Sequence, residues 1–109
     1  MLLTYLAHFI GAMFLVNAIP HTVFGVCGRP FQSPFASPPG VGLSSPVVNV
    51  LWGGINMVIG CGLLLLVGEF NPGQLADLAI TLAGGWLAAF GLARYFGRFY
   101  FSATPADKQ

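Results

Sequence analysis

The sequence predicts an all-α membrane protein, a single domain of three transmembrane helices with a proline- and glycine-rich ordered loop between the first and second. The 109 residues include only four basic and three acidic side chains, and 56% of the residues are hydrophobic. No charged residue occurs in 1–28, 30–68 or 78–93. A helix needs roughly 20 mostly apolar residues to cross the hydrocarbon core, and three segments are apolar over about that length.

The first helix is predicted over about residues 2–19. Pro20 follows, and proline removes one backbone hydrogen bond, so we expect it to end or kink the helix. The N-terminal residues lack the basic region of a secretory signal, and we therefore expect this segment to be retained. Cys27 and Cys61 fall at different predicted depths, which predicts two free thiols.

The segment from residue 27 to residue 46 interrupts the helical pattern with several prolines, glycines and serines. These residues are incompatible with a regular helix or a central strand. The segment also contains apolar side chains such as Phe31 and Phe35, and Arg29 is its one charged residue. A flexible linker would be more polar, so we expect an ordered loop that folds back against the helix ends.

The second and third helices are predicted over about residues 47–67 and 74–97. The serines and proline at 44–46 are a helix start signal, and the turn near residues 68–73 is short. A short connection predicts an antiparallel hairpin. Residues 98–109 begin with aromatic and basic side chains, a combination typical of the membrane interface.

The basic residues predict an orientation. Arg29, Arg94, Arg98 and Lys108 all lie on the side of the first loop and the C-terminus, whereas the second turn has none. Cytoplasmic segments are enriched in Lys and Arg. We therefore expect a multi-pass protein of the bacterial inner membrane with a periplasmic N-terminus and a cytoplasmic C-terminus.

Polar side chains within the predicted spans are the first candidates for function, because polar groups are costly in hydrocarbon. The candidates are His8, Asn17, His21, Asp77 and Thr81. At 1.5 Å per residue, His8, Asp77 and Thr81 fall at the outer depth, and Asn17 and His21 fall at the inner depth. His8 is interpreted either as a packing residue bonded to Asp77 or Thr81, or as a proton relay.

Two helix faces consist of small residues and amides that allow close packing and hydrogen bonding between helices. On the second helix they are Asn49, Gly53, Asn56 and Gly60, and on the third they are Gly85, Ala89, Ala93 and Gly97. The simplest arrangement packs these two faces together. The alternative uses one face within the subunit and the other between subunits.

About half of the chain resembles a group of small uncharacterised bacterial integral membrane proteins. The resemblance rests on a pattern across the first loop and second helix, and it implies no activity. The pattern comprises Asn17-Ala18-Ile19-Pro20-His21, Ser33-Pro34-Phe35-Ala36, Pro38-Pro39-Gly40, Ser44-Ser45-Pro46, Asn49 and Trp52-Gly53.

The preferred functional interpretation is a non-enzymatic structural or accessory subunit that packs against lipid and a larger membrane complex, for example an energy-converting one, or against its own copies. The alternative is an oligomeric transporter or channel that uses His8 and Asp77.

We expect neither catalytic residues nor a metal site nor a cofactor, because no matching cluster is present. Haem bound by His8 and His21 would need ligands from a second copy. A net charge of +1 provides no basic patch for nucleic acid.

Overall fold

The computed structural model describes residues 1–101 as three long helices and one very short hairpin. In chain order the elements are α1 (Leu2–Val26), β1 (Phe31–Gln32), β2 (Leu43–Ser44), α2 (Pro46–Leu65) and α3 (Leu75–Tyr100). Each helix is long and apolar enough to cross a membrane, which indicates a multi-pass membrane protein. Residues 102–109, including Lys108 and most of the predicted interfacial tail, lie outside the described residues.

Helix α1 continues through Pro20 and ends at Val26, beyond its predicted end. Its C-terminus is closed by a Schellman motif. The N–H of Gly28 donates to Gly25 O, and the N–H of Arg29 donates to Phe24 O. Gly28 has φ +72°, a conformation that favours glycine and that this motif requires. The bundle therefore gains an extra turn of α1 at this end, and that turn carries His21 and Phe24.

Helix α2 begins where the sequence predicts a helix start. Ser45 is the N-cap, and its Oγ accepts a hydrogen bond from the N–H of Val48 at 3.2 Å. Pro46 occupies the first helical position, where the missing N–H costs nothing.

Helix α1 is the central helix of the bundle and packs against both α2 and α3. On the α2 side, a Cβ added to Gly60 would lie 2.8 Å from the carbonyl oxygen of Gly11. On the α3 side, a Cβ on Gly84 would lie 2.9 Å from the carbonyl carbon of Phe9. Both contacts join backbone to backbone, so only glycine allows this close approach.

The predicted packing of α2 on α3 through their small-residue faces is wrong. Asn49, Gly53, Asn56 and Gly60 are buried, but their face packs on α1. Helices α2 and α3 make almost no direct contact within the described residues. A periodic pattern shows which face of a helix is buried, and the choice between two possible partner helices depends on shape.

The loop between α1 and α2 folds back on the helix ends. Strands β1 and β2 are antiparallel, with Phe31 opposite Ser44. Phe31 is only 2% exposed and lies against Phe24, Phe96 and Tyr100. This loop and the end of α3 form the loop end of the bundle, whereas the α2–α3 connection and the start of α1 form the turn end.

Candidate functional site

Three buried polar pairs cross between helices, one at each end of the bundle and one between them. At the turn end, His8 Nδ1 lies 2.6 Å from Asp77 Oδ1. His8 is fully buried and Asp77 is 1% exposed. This is one of the two partners that the sequence suggested for His8. Thr81, the other suggested partner, contributes nothing to it, because its Oγ1 is enclosed without a hydrogen-bond partner.

The neighbours of the His8–Asp77 pair determine its proton count. His8 Nε2 donates to Val67 O at 2.9 Å, because a carbonyl oxygen can only accept. Asp77 Oδ2 accepts from the N–H of Asn71 at 2.8 Å. One proton then lies in the Nδ1–Oδ1 hydrogen bond, and the pair is neutral as a whole whichever atom holds that proton. The pair fastens the α2–α3 turn to α1.

A small polar cleft reaches Asp77 from the turn end. Its volume is about 230 Å³. Besides Asp77, the residues that line it are Met1, Thr4, Tyr5, Glu69 and Gln74. Asp77, but not His8, therefore borders this cleft.

The second polar pair lies between the ends of the bundle and joins α1 to α2. Asn17 Nδ2 donates to Asn56 Oδ1 at 2.9 Å, and Asn56 Nδ2 donates to Trp52 O at 2.8 Å. The first bond is an interhelical amide clamp, and such bonds in membranes average about 0.6 kcal/mol.

The third pair, at the loop end, combines His21 with Asn49. Asn49 Nδ2 lies 3.1 Å from each of three carbonyl oxygens, those of Phe31, Ser44 and Ser45. Its amide nitrogen therefore faces the loop, and its Oδ1 faces His21. His21 Nδ1 lies 2.8 Å from that oxygen and must be the donor. Asn49 thus fixes the loop and the histidine tautomer together.

Aromatic rings enclose His21. The rings of Phe31, Trp52 and Phe96 each meet the imidazole edge to face, with ring centroids 5.4, 6.4 and 6.2 Å away. His21 is 3% exposed. Its second ring nitrogen, Nε2, has no hydrogen-bond partner among residues 1–101. The enclosed side-chain polar atoms without partners in that range are Oγ1 of Thr22 and of Thr81, so Nε2 keeps an accessible edge.

The accessible edge of His21 belongs to a cavity of about 230 Å³ at the loop end. Gln32, Ser33, Trp52 and Tyr95 also line it. This cavity shares Asn17 and Leu92 with an apolar groove of about 420 Å³ between α2 and α3, whose floor is α1. The groove exists because α2 and α3 pack on α1 and not on each other.

Sequence reasoning missed the buried polar residues of the loop. Gln32 and Ser33 are 4% and 2% exposed. Tyr100 Oη donates to Gln32 Oε1 at 2.9 Å, and Tyr95 Oη donates to the carbonyl oxygen of Gly40. The low charge of the loop pointed to an ordered segment, but no periodic signal singles out buried residues in an irregular chain.

The remaining sequence candidates are distributed over the surface of the bundle. Gly85 contacts Val16 and Ala12 on α1, whereas nothing lies within 4 Å of a Cβ added to Gly97. Ala93 is exposed. Cys27 and Cys61 are free thiols, as predicted, and both are exposed. Residues 1–101 contain no group of three or more side chains suited to hold a metal ion.

No protein-family model, no curated protein and no solved structure matches this chain. The geometry of the polar pairs, cavity and grooves is therefore the evidence for a function.

Proposed function

We propose that this chain is a non-enzymatic accessory subunit of a larger complex in the bacterial inner membrane. The proposal is supported by how the polar and apolar groups are divided. The three polar pairs are formed between helices of the same chain, whereas α2 and α3 present mainly apolar side chains outward. The bundle is thus held together by its own interhelical hydrogen bonds, and its outer apolar surface is available to pack against another protein.

The groove between α1 and α3 is the best place for a partner helix. Its volume is about 540 Å³ at the loop end, and Ala93 and Gly97 lie along it with Val16 and Ile19. Small residues allow a second helix to approach closely, which is the main source of affinity between helices in lipid. The C-terminal half of the small-residue face on α3, which contains Ala93 and Gly97, is therefore free for a neighbouring subunit.

The proposed orientation places the loop end in the cytoplasm and the turn end in the periplasm. Arg29 and Arg98 lie at the loop end. The guanidinium carbon of Arg29 is 5.5 Å from the centroid of the Phe24 ring, and that of Arg98 is 5.2 Å from the centroid of the Tyr95 ring. Aromatic and basic side chains together are typical of the interface on the cytoplasmic side.

Copurification tests the accessory role. The chain, tagged and extracted in a mild detergent, is expected to copurify with a larger complex at fixed stoichiometry. Gly97→Trp fills the free groove and is expected to abolish the association. Gly54→Trp is the matched control, because nothing lies within 4 Å of a Cβ at Gly54 either, but it faces outward on α2. A monodisperse particle without a partner, or equal behaviour of both variants, would contradict the proposal.

A second candidate function is proton-coupled transport, favoured by the cleft that reaches the His8–Asp77 pair. His8→Asn keeps a donor for Asp77 but removes the imidazole that can take up and release a proton. Flux in liposomes is expected to stop in this variant and to continue in His21→Asn. Equal flux in both variants would exclude His8 as the coupling residue.

A further inference from the structure

We propose that the cavity beside His21 binds the hydroxyl group of an uncharged amphiphile, whose single apolar chain lies in the groove between α2 and α3. This inference is independent of the proposed accessory role. Two buried side chains line this cavity, and each has one polar atom without a hydrogen-bond partner among residues 1–101.

The first atom is His21 Nε2. Asn49 Oδ1 accepts the proton of Nδ1, so in the neutral ring Nε2 carries the lone pair and is a hydrogen-bond acceptor. No carboxylate of the described part of the chain lines the cavity, so no residue there would balance an imidazolium charge. Because His21 is fixed by Asn49 and by three aromatic rings, this acceptor is held in place without a ligand.

The second atom is Gln32 Nε2. The Oε1 of Gln32 accepts from Tyr100, and the amide N–H groups have no partner among residues 1–101. Gln32 is 4% exposed and lines the cavity with His21. Neither Nε2 atom is among the enclosed polar atoms without a partner in residues 1–101, so both stay accessible to a ligand, and one that pairs with both gains two hydrogen bonds. A hydroxyl group donates to one and accepts from the other.

The groove determines the rest of the ligand. It continues from the cavity at Asn17 and Leu92, and its other walls are largely apolar, including Ile10, Phe14 and Leu87. Its volume of about 420 Å³ falls in the range of about 300–1,000 Å³ that small-molecule sites occupy. Among residues 1–101, no Lys or Arg lines either space, so these residues offer no counterion to an anionic phosphate headgroup. These features fit an uncharged hydroxyl headgroup with one apolar chain.

Binding is measured with Trp52, which lines the cavity. Trp86→Phe removes the other tryptophan, which is 62% exposed and lines neither space. The protein is placed in phosphatidylcholine nanodiscs. The probes are a benzoquinol with a ten-carbon chain and a monoacylglycerol with a ten-carbon chain. Each is expected to change the Trp52 fluorescence saturably, and the more tightly bound probe identifies the headgroup class. Each probe has two hydroxyl groups, and the form in which both are O-methylated is expected to bind about tenfold more weakly, since it cannot donate to His21.

Two variants test the assignment of His21. His21→Asn preserves an N–H donor for Asn49 but removes the Nε2 acceptor, and it is expected to weaken binding about tenfold. His8→Asn is the matched control at the turn end and is expected to leave binding unchanged. Leu92→Phe narrows the junction between cavity and groove without adding a second tryptophan and is expected to abolish binding, with folding checked by circular dichroism. Equal binding of the O-methylated probes, or unchanged binding in His21→Asn or in Leu92→Phe, would overturn the proposal.

Discussion

The two buried histidines have the same side chain but different hydrogen bonding at the two ends of one helix. At the turn end, His8 uses both ring nitrogens, one for Asp77 and one for Val67 O. At the loop end, His21 uses one nitrogen for Asn49 and leaves the other at a cavity. At the turn end, both nitrogens of the imidazole are hydrogen-bonded and the side chain joins two parts of the bundle. At the loop end, one nitrogen is left as a hydrogen-bond acceptor in a fixed position. The surrounding residues alone produce this difference between two identical side chains.

The difference also bears on haem, which the sequence left as an alternative. Neither nitrogen of His8 is free, so His8 would have to give up a hydrogen bond before it could bind iron. A site that used both histidines of α1 would therefore require the His8–Asp77 pair at the turn end to open.

The largest loss of stability is expected when one member of the His8–Asp77 pair is replaced. Asp77→Leu leaves His8 Nδ1 and the N–H of Asn71 without their partner. Removing one member of a buried pair costs about 4 kcal/mol, whereas replacing both with apolar residues costs less. The free energy of unfolding in mixed micelles is expected to fall by about that amount in Asp77→Leu and to recover in part in the His8→Leu, Asp77→Leu double variant. A double variant less stable than the single one would contradict the paired arrangement.

The next effect concerns the amide that organises the loop end. Asn49→Leu removes the side-chain N–H groups that bond the loop carbonyls of Phe31 and Ser44. It also leaves His21 Nδ1 without its acceptor, and we expect a loss of about 3 kcal/mol in all. Asn56→Leu is the matched control on the same face of α2. It removes the bond from Asn17, and we expect a loss of about 0.6 kcal/mol. The free energy of unfolding in mixed micelles is measured for both variants. Equal losses would show that Asn49 contributes no more than an ordinary interhelical hydrogen bond.

The smallest effect compares the two histidines directly. His8→Asn removes the bond to Val67 O and is expected to cost about 1 kcal/mol. His21→Asn keeps the one hydrogen bond that His21 makes within residues 1–101 but loses edge-to-face contacts with three aromatic rings, so we also expect a loss of about 1 kcal/mol in ligand-free micelles. Thermal unfolding of the two variants side by side measures both losses. A loss in His21→Asn as large as that in Asn49→Leu would contradict the assignment of a single internal hydrogen bond to His21.

Much of the architecture follows from the sequence, because long uncharged stretches allow few alternatives. The three helices, the buried face of α2 and the common depth of His8, Asp77 and Thr81 follow from charge spacing, periodicity and helix rise. The choice of Asp77 over Thr81 as the partner of His8 does not follow. The partner of that α2 face does not follow. Gly84 and Gly85 are adjacent in the sequence, and only the three-dimensional fit determines that Gly84 makes the close contact with Phe9.

The loop-end cavity was beyond sequence reasoning for a related reason. It requires Gln32 from an irregular loop and His21 from a helix turn beyond Pro20. Neither placement is encoded by a periodic pattern. The extra turn of α1 depends on the Schellman closure at Gly28, and the loop depends on hydrogen bonds from Asn49, Tyr95 and Tyr100.

Cysteine labelling tests the central claim, that these helices cross a bilayer with the loop end in water. Cys27 follows the last residue of α1, whereas Cys61 lies on the outward surface of α2. A thiol reacts through its thiolate, which does not form in hydrocarbon. In sealed inside-out vesicles, a membrane-impermeant maleimide is expected to modify Cys27 rapidly and Cys61 only after the membrane is dissolved in a denaturing detergent. Equally rapid modification of both thiols in intact vesicles would contradict the account.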